Sequence, residues 1–301
     1  MTIFGGALGS LFLGASDVEA AVKEDAPPPG TTLELHPKSA PYPTKDGEWK
    51  DDTVIAFVPE HFVFPASGRV DVIMHFHGHK TNAWRSIRGN MLREQLIKSK
   101  QNAILVVPQG PVFASSGDFG KLMNKNGTSK LLTEVIGLLH KQKVFDEKPK
   151  LGRVIVSASS GGYRPTAMTI KHGGVDLREV YLFDALYGET AIFEGLVAKK
   201  KKKLISYYVG GEPMTNSLAI ADSLKEKGIR VKIEDGDTRL TREDLVKGKA
   251  IFLRGRASHG TATFEEGALR DCLLASCFKG IGTKDWHKDK KKKRSKHLAL
   301  D

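Results

Sequence analysis

Short apolar runs recur along most of the chain and are separated by segments with helical periodicity. The runs are rich in β-branched and aromatic residues and do not alternate with polar residues, as is typical of strands buried on both faces of a sheet. They predict strands at residues 53–58, 70–77, 103–108, 153–158, 180–183, 204–209, 229–233 and 250–253.

Helix-like segments lie between most of these predicted strands, at residues 91–99, 131–141, 166–172, 191–200 and 217–227. The Gly-, Ser- and Asn-rich stretch 112–130 is instead typical of a loop. Strands that alternate with helices indicate a mainly parallel sheet with right-handed crossovers, so the expected fold class is α/β, a three-layer α/β/α sandwich. In such folds the chemistry sits beyond the carboxyl ends of the strands.

The length of 301 residues accommodates one α/β domain of about 250 residues with short extensions. Hydrophobic residues make up 40% and charged residues 27% of the chain, which excludes a disordered protein. We expect an α/β domain at residues 31–280 and a basic C-terminal tail at 281–301. Residues 1–30, which end in Pro-Pro-Pro-Gly, are expected to be an extension or the remnant of a signal segment.

The location of the protein stays open at this point. Residues 3–15 are apolar and small, and a cleavage-like Val-Glu-Ala follows at 18–20, which favours a periplasmic or secreted protein. No Lys or Arg precedes Lys23, however, whereas a secretory signal begins with a positive region. The apolar stretch is too short to cross a bilayer.

The net charge of +12 is concentrated in two runs, Lys199–Lys203 and Lys288–Lys296. Charge runs of this kind are usually solvated faces or tails, and we expect that here. A basic chain also attracts polyanions, so a polyanion-binding protein is a rival hypothesis. The two cysteines, Cys272 and Cys277, lie five positions apart and are expected to be small buried side chains without a disulfide or metal.

The fourth predicted strand runs into Ser-Ser-Gly-Gly at residues 159–162. A nucleophile elbow holds a serine on a tight strand-to-helix turn and needs small residues two positions before and two after it. Both serines meet this condition. Ser160 is preferred over Ser159, because Ala158 is the smaller neighbour and Gly161 leaves an accessible N–H group. A turn whose serine only caps the next helix is the alternative.

The second predicted strand ends in His-Phe-His-Gly-His at residues 75–79. A hydrophobic strand ending in His-Gly is typical of an oxyanion site, in which backbone N–H groups stabilise a developing negative charge. We expect the N–H of Gly161 as one donor and that of His79, or of Lys80, as the other. The alternating histidines of this segment would share one strand face, which leaves zinc binding as a rival hypothesis without a nearby carboxylate ligand.

The candidate base is His259, in a Gly-flanked loop after the last predicted strand. A histidine late in the chain fits the order of serine, acid and histidine found in one group of serine hydrolases. The candidate acid is Asp184, which directly follows the strand 180–183. Glu212, after the next strand, is its main competitor, and Asp235 and Asp237 are weaker alternatives.

Taken together, these motifs resemble the α/β-hydrolase superfamily over residues 50 to 280. The resemblance rests on the order and spacing of His-Phe-His-Gly (75–78), Val-Val-Pro-Gln-Gly-Pro (106–111), Ser-Ala-Ser-Ser-Gly-Gly-Tyr (157–163), Leu-Phe-Asp-Ala-Leu-Tyr-Gly (182–188) and Ser-His-Gly (258–260). The first three blocks are more loosely similar to polyhydroxyalkanoate depolymerases and feruloyl esterases. The chain departs from the family pattern in two ways. Ala158 stands where the family has the first glycine of the elbow. Asp184 follows a strand one earlier than the strand after which the family more often places the acid, so Glu212 stays an alternative acid.

The resemblance implies hydrolysis of carboxylic esters by a Ser-His-Asp triad and an acyl-enzyme, without a metal or an organic cofactor. A serine peptidase or amidase on the same fold is the closest alternative, because a triad alone does not separate esters from amides.

His77, Tyr163 and Tyr187 are candidate substrate contacts. The short connection after Asp184 leaves no room for an inserted cap domain. We therefore expect an active site that is open to solvent unless the loop 112–130 covers it. An open site would suit a bulky or polymeric substrate. The resemblance implies neither a specific nucleic acid partner nor an oligomeric state.

Overall fold

The computed structural model describes residues 27–45, 47, 49–113, 117–234 and 240–282. Most of the expected N-terminal extension and basic tail lies outside this part of the chain, and so do the weaker acid candidates Asp235 and Asp237.

Within the described residues, nine strands form one mixed sheet in the order β1-β2-β4-β3-β5-β6-β7-β9-β8. The first two strands pair antiparallel with each other, and β2 pairs antiparallel with β4, whereas every other pair is parallel. The strands are β1 Gly30–Leu35, β2 Val54–Pro59, β3 Arg69–Phe76, β4 Ile104–Pro108, β5 Lys150–Ser159, β6 Asp176–Phe183, β7 Lys203–Tyr208, β8 Val231–Ile233 and β9 Ala250–Arg254.

Helices cover both faces of the sheet. They are α1 Ala83–Gly89, α2 Leu92–Ser99, α3 Gly127–Lys141, α4 Tyr163–His172, α5 Thr190–Ala198, α6 Gly211–Glu226, α7 Arg242–Lys247 and α8 Ala268–Leu274. One hydrophobic cluster joins the sheet to α3, α4, α5 and α6, and a second joins its other face to α1, α2, α7 and α8. The expected three-layer α/β/α sandwich is therefore confirmed.

Each strand predicted from an apolar run is present, with small shifts in its ends. The sequence pattern missed β1 and the short helices α1, α7 and α8. β1 is an edge strand whose first residues are exposed, so it lacks the continuous apolar run that marks the inner strands. The three missed helices have six or seven residues each, too few for a helical period to stand out.

Two expectations about individual side chains are wrong. Lys203 belongs to a run expected to be solvated, but it is buried at the start of β7, where its ammonium contacts Glu179 at 3.4 Å and donates to three backbone carbonyls. Those partners offset the cost of removing the charge from water. Cys272 is buried as expected, but Cys277 lies beyond the end of α8 and is exposed; both are free thiols.

A single helix, α5, occupies the connection between β6 and β7. The residues that directly follow β6 lie at the carboxyl edge of the sheet. None of the described helices is both long enough and apolar enough to cross a membrane.

Candidate active site

The turn after β5 holds a serine in a strained backbone conformation. Ser160 has φ of +47°, in the left-handed region that residues with a side chain avoid. A 3-10 turn, Ser160–Gly162, then leads into α4. A Cβ atom at Gly162 would lie 2.5 Å from the carbonyl oxygen of Phe76, so only glycine permits this close approach to β3. Such strain persists where the surroundings enforce it, and it is typical of functional turns.

Ser160 stands at one end of a chain of hydrogen bonds. Its Oγ lies 3.1 Å from Nε2 of His259, and Nδ1 of the same ring lies 2.6 Å from Oδ2 of Asp184. The structure thus brings together the expected nucleophile, base and acid from the turns after β5, β9 and β6. The hydrogen bond to Asp184 raises the pKa of His259, because the carboxylate stabilises the imidazolium.

The acid is itself held in place by the backbone of β7 and the residue after it. Asp184 is buried, and its N–H donates to the carbonyl of Tyr207 at 2.6 Å. Its Oδ1 accepts the N–H of Val209 at 2.9 Å, which leaves Oδ2 to face His259. The competitor Glu212 is exposed in the first turn of α6, and no contact joins it to His259 within the described part of the chain.

Ser159, the alternative nucleophile, points to a different set of partners. Its Oγ lies 2.7 Å from Oγ1 of Thr263 and 3.5 Å from Nε2 of His75. His75 is fully buried, and burial together with the neighbouring His77 lowers its pKa to about 3. His75 therefore stays neutral as part of the packed interior, and its Nδ1 contacts Ser157 at 2.9 Å.

The turn after β3 lies directly against Ser160. A Cβ atom at Gly78 would approach Cβ of Ser160 to 2.8 Å, so the backbone of this turn reaches the serine only because residue 78 is glycine. The N–H of Lys80 donates to the carbonyl of Val112 at 2.7 Å and is therefore occupied. No such bond engages the N–H of His79 among the described residues, and its role as an oxyanion donor together with Gly161 stays a prediction.

His77, expected to contact substrate, has a different role. Its side chain is 1% exposed, and its Nε2 accepts the N–H of Gly110 at 2.8 Å. The other ring nitrogen, Nδ1, then carries the proton and donates to the carbonyl of Gly78 at 2.8 Å. Burial lowers the pKa of His77 to about 4. The ring therefore fixes the turns after β3 and β4 and has no atom free for a substrate.

The zinc hypothesis gains no support from the geometry. Nε2 of His79 lies 3.1 Å from the carbonyl of Phe113, while His75 and His77 bond to serine and backbone groups. Across the residues that the structure describes, no three His, Cys, Asp or Glu side chains come close enough to hold a metal ion.

Tyr187 packs against the candidate base. Its ring meets the His259 ring edge-on, with centroids 6.1 Å apart, and its hydroxyl lies 3.4 Å from Nδ1. Burial and the nearby Asp184 and Glu212 raise the pKa of Tyr187. Tyr163, at the start of α4, stacks at a tilt against Tyr187 at 6.3 Å. Both tyrosines are half-buried, and a substrate contact by each stays a prediction.

The site is open to solvent on the side of the histidine. The side chain of His259 is 49% exposed, and Ser160 is partly exposed. The stretch 112–130, expected to be a loop, ends in the first residues of α3, and its earlier part approaches the elbow at Gly117, where a Cβ atom would lie 2.0 Å from the carbonyl oxygen of Gly161. Residues 114–116 of this loop lie outside the described part of the chain.

No protein-family model and no curated protein matches the sequence. Solved structures do match. A ferulic acid esterase superposes with a TM-score of 0.50 at 11% identity, covering 81% of this chain and 96% of its own. A mutant of the feruloyl esterase module from Clostridium thermocellum, complexed with sinapinate, superposes with a TM-score of 0.50 at 11% identity, covering 83% and 89%. This chain has the α/β-hydrolase fold.

The α/β-hydrolase fold accounts for the order of the three residues along the chain. In this fold the serine lies on the turn after a central strand, and the acid and then the histidine follow later in sequence. Ser160, Asp184 and His259 have that order. Sequence reasoning did not find Thr263 or the Val209 N–H, because neither carries a motif and both depend on how distant turns pack.

Proposed function

We propose that the protein is a carboxylic ester hydrolase that acts through an acyl-enzyme on Ser160. The observation that carries the proposal is the continuous hydrogen-bond chain from Ser160 Oγ through His259 to Asp184, with the serine on a strained turn at the carboxyl edge of the sheet. A serine whose proton can pass to a positioned imidazole is a nucleophile at neutral pH.

In the acylation step, Ser160 Oγ attacks the ester carbonyl carbon while its proton moves to Nε2 of His259. The carbonyl oxygen becomes an oxyanion, and the N–H groups of Gly161 and His79 donate to it. Asp184 holds the imidazole in the tautomer with Nε2 free and stabilises the imidazolium that forms. As the tetrahedral intermediate collapses, the carbon–oxygen bond breaks and the alcohol leaves with the proton from His259.

In the deacylation step, His259 takes a proton from water as the water oxygen attacks the acyl carbon. The second tetrahedral intermediate collapses, the acid product leaves, and Ser160 Oγ recovers its proton from Nε2. Each step returns His259 to its neutral form, so no group outside the triad and the bound water has to supply or remove a proton.

An amidase or peptidase is the closest second candidate, since the same residues could attack an amide. The solvent-exposed His259 favours esters, because an amine leaving group depends more strongly than an alcohol on a well-placed proton from the histidine. A non-catalytic polyanion-binding module is the candidate of another class, and it leaves the strained Ser160 and its hydrogen-bond chain without a purpose.

The experiment compares p-nitrophenyl acetate with p-nitroacetanilide, which share an acyl group and differ only in the scissile bond. We expect turnover of the ester, with at least a hundredfold lower kcat/KM for the anilide, and loss of about 10⁴-fold or more in kcat for Ser160→Ala. Faster cleavage of the anilide would favour the amidase. Equal rates for the parent and Ser160→Ala proteins, both folded, would overturn the proposal.

A further inference from the structure

A basic groove lies at the end of the sheet opposite Ser160. Two cavities, one of about 560 Å³ and the other of about 480 Å³, lie here and share Ile229 in their lining. The cations that line the two cavities come from the end of α7, from the connections that lead into β7, β8 and β9, and from β8 itself: Lys199, Lys201, Lys227, Arg230, Lys232, Lys247 and Lys249.

Parallel strands explain why residues so far apart in sequence meet here. β7, β9 and β8 are parallel neighbours, so the turns that precede them lie at one edge of the sheet. Ser160, Asp184 and His259 lie beyond the other edge. The five residues of β9 alone separate the two edges by about 16 Å, so the groove is distinct from the site proposed above.

The charge of the groove is not neutralised by its own carboxylates. Glu194 pairs with Lys227, Glu243 with Lys247, and Asp244 with Lys232. Lys199, Lys201, Arg230 and Lys249 line the same cavities without an acidic partner among the described residues, and Lys201, Arg230 and Lys249 are exposed. Placing this many uncompensated cations in one concave surface costs free energy unless an anion is bound.

The shape and lining of the groove indicate the kind of anion. Each cavity has the volume of a site for a small molecule or a few units of a polymer, and the shared residue Ile229 makes the two cavities neighbours. No aromatic side chain lines either cavity, which disfavours single-stranded nucleic acid, because that ligand is held by base stacking. A duplex is too thick to enter such cavities, and a membrane would require large exposed apolar side chains.

We propose that the basic groove binds a linear acidic polysaccharide, whose carboxylate or sulfate groups pair with Lys201, Arg230 and Lys249. Small residues in the lining, such as Gly195 and Gly248, leave room for the chain to approach the backbone. A polymer bound there leaves Ser160 and its open side facing away from it. The proposal stands independently of the catalytic one.

Binding of fluorescein-labelled oligogalacturonate to the full-length protein tests this proposal by fluorescence anisotropy, with labelled heparin as the sulfate-bearing probe and neutral dextran as the control ligand. The test variant is Lys201→Glu/Arg230→Glu/Lys249→Glu. The matched control, Lys98→Glu/Lys125→Glu/Lys141→Glu, changes net charge equally at exposed positions outside the groove. All variants keep the lysine-rich segment 288–296, so its contribution is constant.

We expect the groove variant to raise the Kd for at least one of the two acidic probes at least tenfold and the control variant to change it less than threefold, with p-nitrophenyl acetate turnover unaltered in both. The probe that binds more tightly distinguishes carboxylate from sulfate. Should the glutamate variant fail to fold, the same three positions changed to Gln are expected to give a smaller loss in the same direction. Equal losses in groove and control variants, or tighter binding of duplex DNA or phosphatidylserine vesicles than of both sugars, would overturn the proposal.

Discussion

Oδ2 of Asp184 lies 2.6 Å from Nδ1 of His259, although the two residues are 75 positions apart in the chain. The other carboxylate oxygen is taken by the N–H of Val209, and the backbone N–H of Asp184 is taken by Tyr207. These backbone hydrogen bonds orient the carboxylate toward the imidazole. The oriented carboxylate sets both the tautomer and the pKa of His259.

Replacing this carboxylate should affect both rate and pH dependence. We expect Asp184→Asn to lower kcat about 10³- to 10⁴-fold, because the imidazole loses its preferred tautomer and the imidazolium loses its partner. In the parent protein, kcat/KM rises with pH as His259 becomes neutral. Because Asp184 raises the pKa of His259, the midpoint should lie above 6.5 and should move to lower pH in Asp184→Asn.

Glu212→Gln is the matched control for that change. Its carboxylate is exposed on α6, so its loss should leave kcat within about threefold and the pH midpoint in place. A large loss in Glu212→Gln together with a small one in Asp184→Asn would mean that the acid has been misassigned.

The fold and the site differ in how far the sequence predicts them. The buried strands are visible because each is an apolar run, and Ser160, Asp184 and His259 stand out because each follows such a run. The role of His77 was not predictable, because it depends on a hydrogen bond to Gly110 on a neighbouring strand's turn. The same holds for the burial of Lys203, whose carbonyl partners lie in α7 and at the end of α8, 42 to 72 residues away in the chain.

Gly78 should tolerate no side chain. In Gly78→Ala the new Cβ would meet Cβ of Ser160 at 2.8 Å and its Oγ at 3.4 Å, which displaces either the serine or the turn that carries the His79 N–H. We expect kcat for p-nitrophenyl acetate to fall at least a hundredfold, since displacements of about 1 Å have that effect. Gly89→Ala, where the added Cβ meets nothing within 4 Å, should leave activity unchanged. Similar activities of the two variants would contradict the close packing at Ser160.

Tyr187 offers a test of positioning against substrate contact. If its ring orients His259, Tyr187→Phe should keep kcat within about threefold, and Tyr187→Leu should lower kcat at least tenfold with little change in KM. If the ring instead binds the acyl group, Tyr187→Leu should raise KM and change the ranking of p-nitrophenyl esters of increasing acyl length. Steady-state kinetics across that ester series separates the two roles.

The hydroxyl contact between Ser159 and Thr263 ties the elbow to the loop that carries His259. Thr263→Val removes one buried hydroxyl and leaves that of Ser159 poorly satisfied, so the free energy of unfolding should fall by about 1–3 kcal/mol. Urea denaturation gives this value, and Thr133→Val, at an exposed position of α3, serves as the comparison. A fully stable Thr263→Val protein would show that the contact does not hold the loop.

Intact-mass measurement after treatment with a fluorophosphonate probe identifies the nucleophile. The parent protein and Ser159→Ala are expected to gain one adduct each, and Ser160→Ala none, because Oγ of Ser160 lies 3.1 Å from Nε2 of His259 whereas Oγ of Ser159 contacts Thr263 and His75. An adduct that persists in Ser160→Ala and disappears in Ser159→Ala would contradict the assignment. No adduct on any of the three folded proteins would contradict the hydrolase proposal itself.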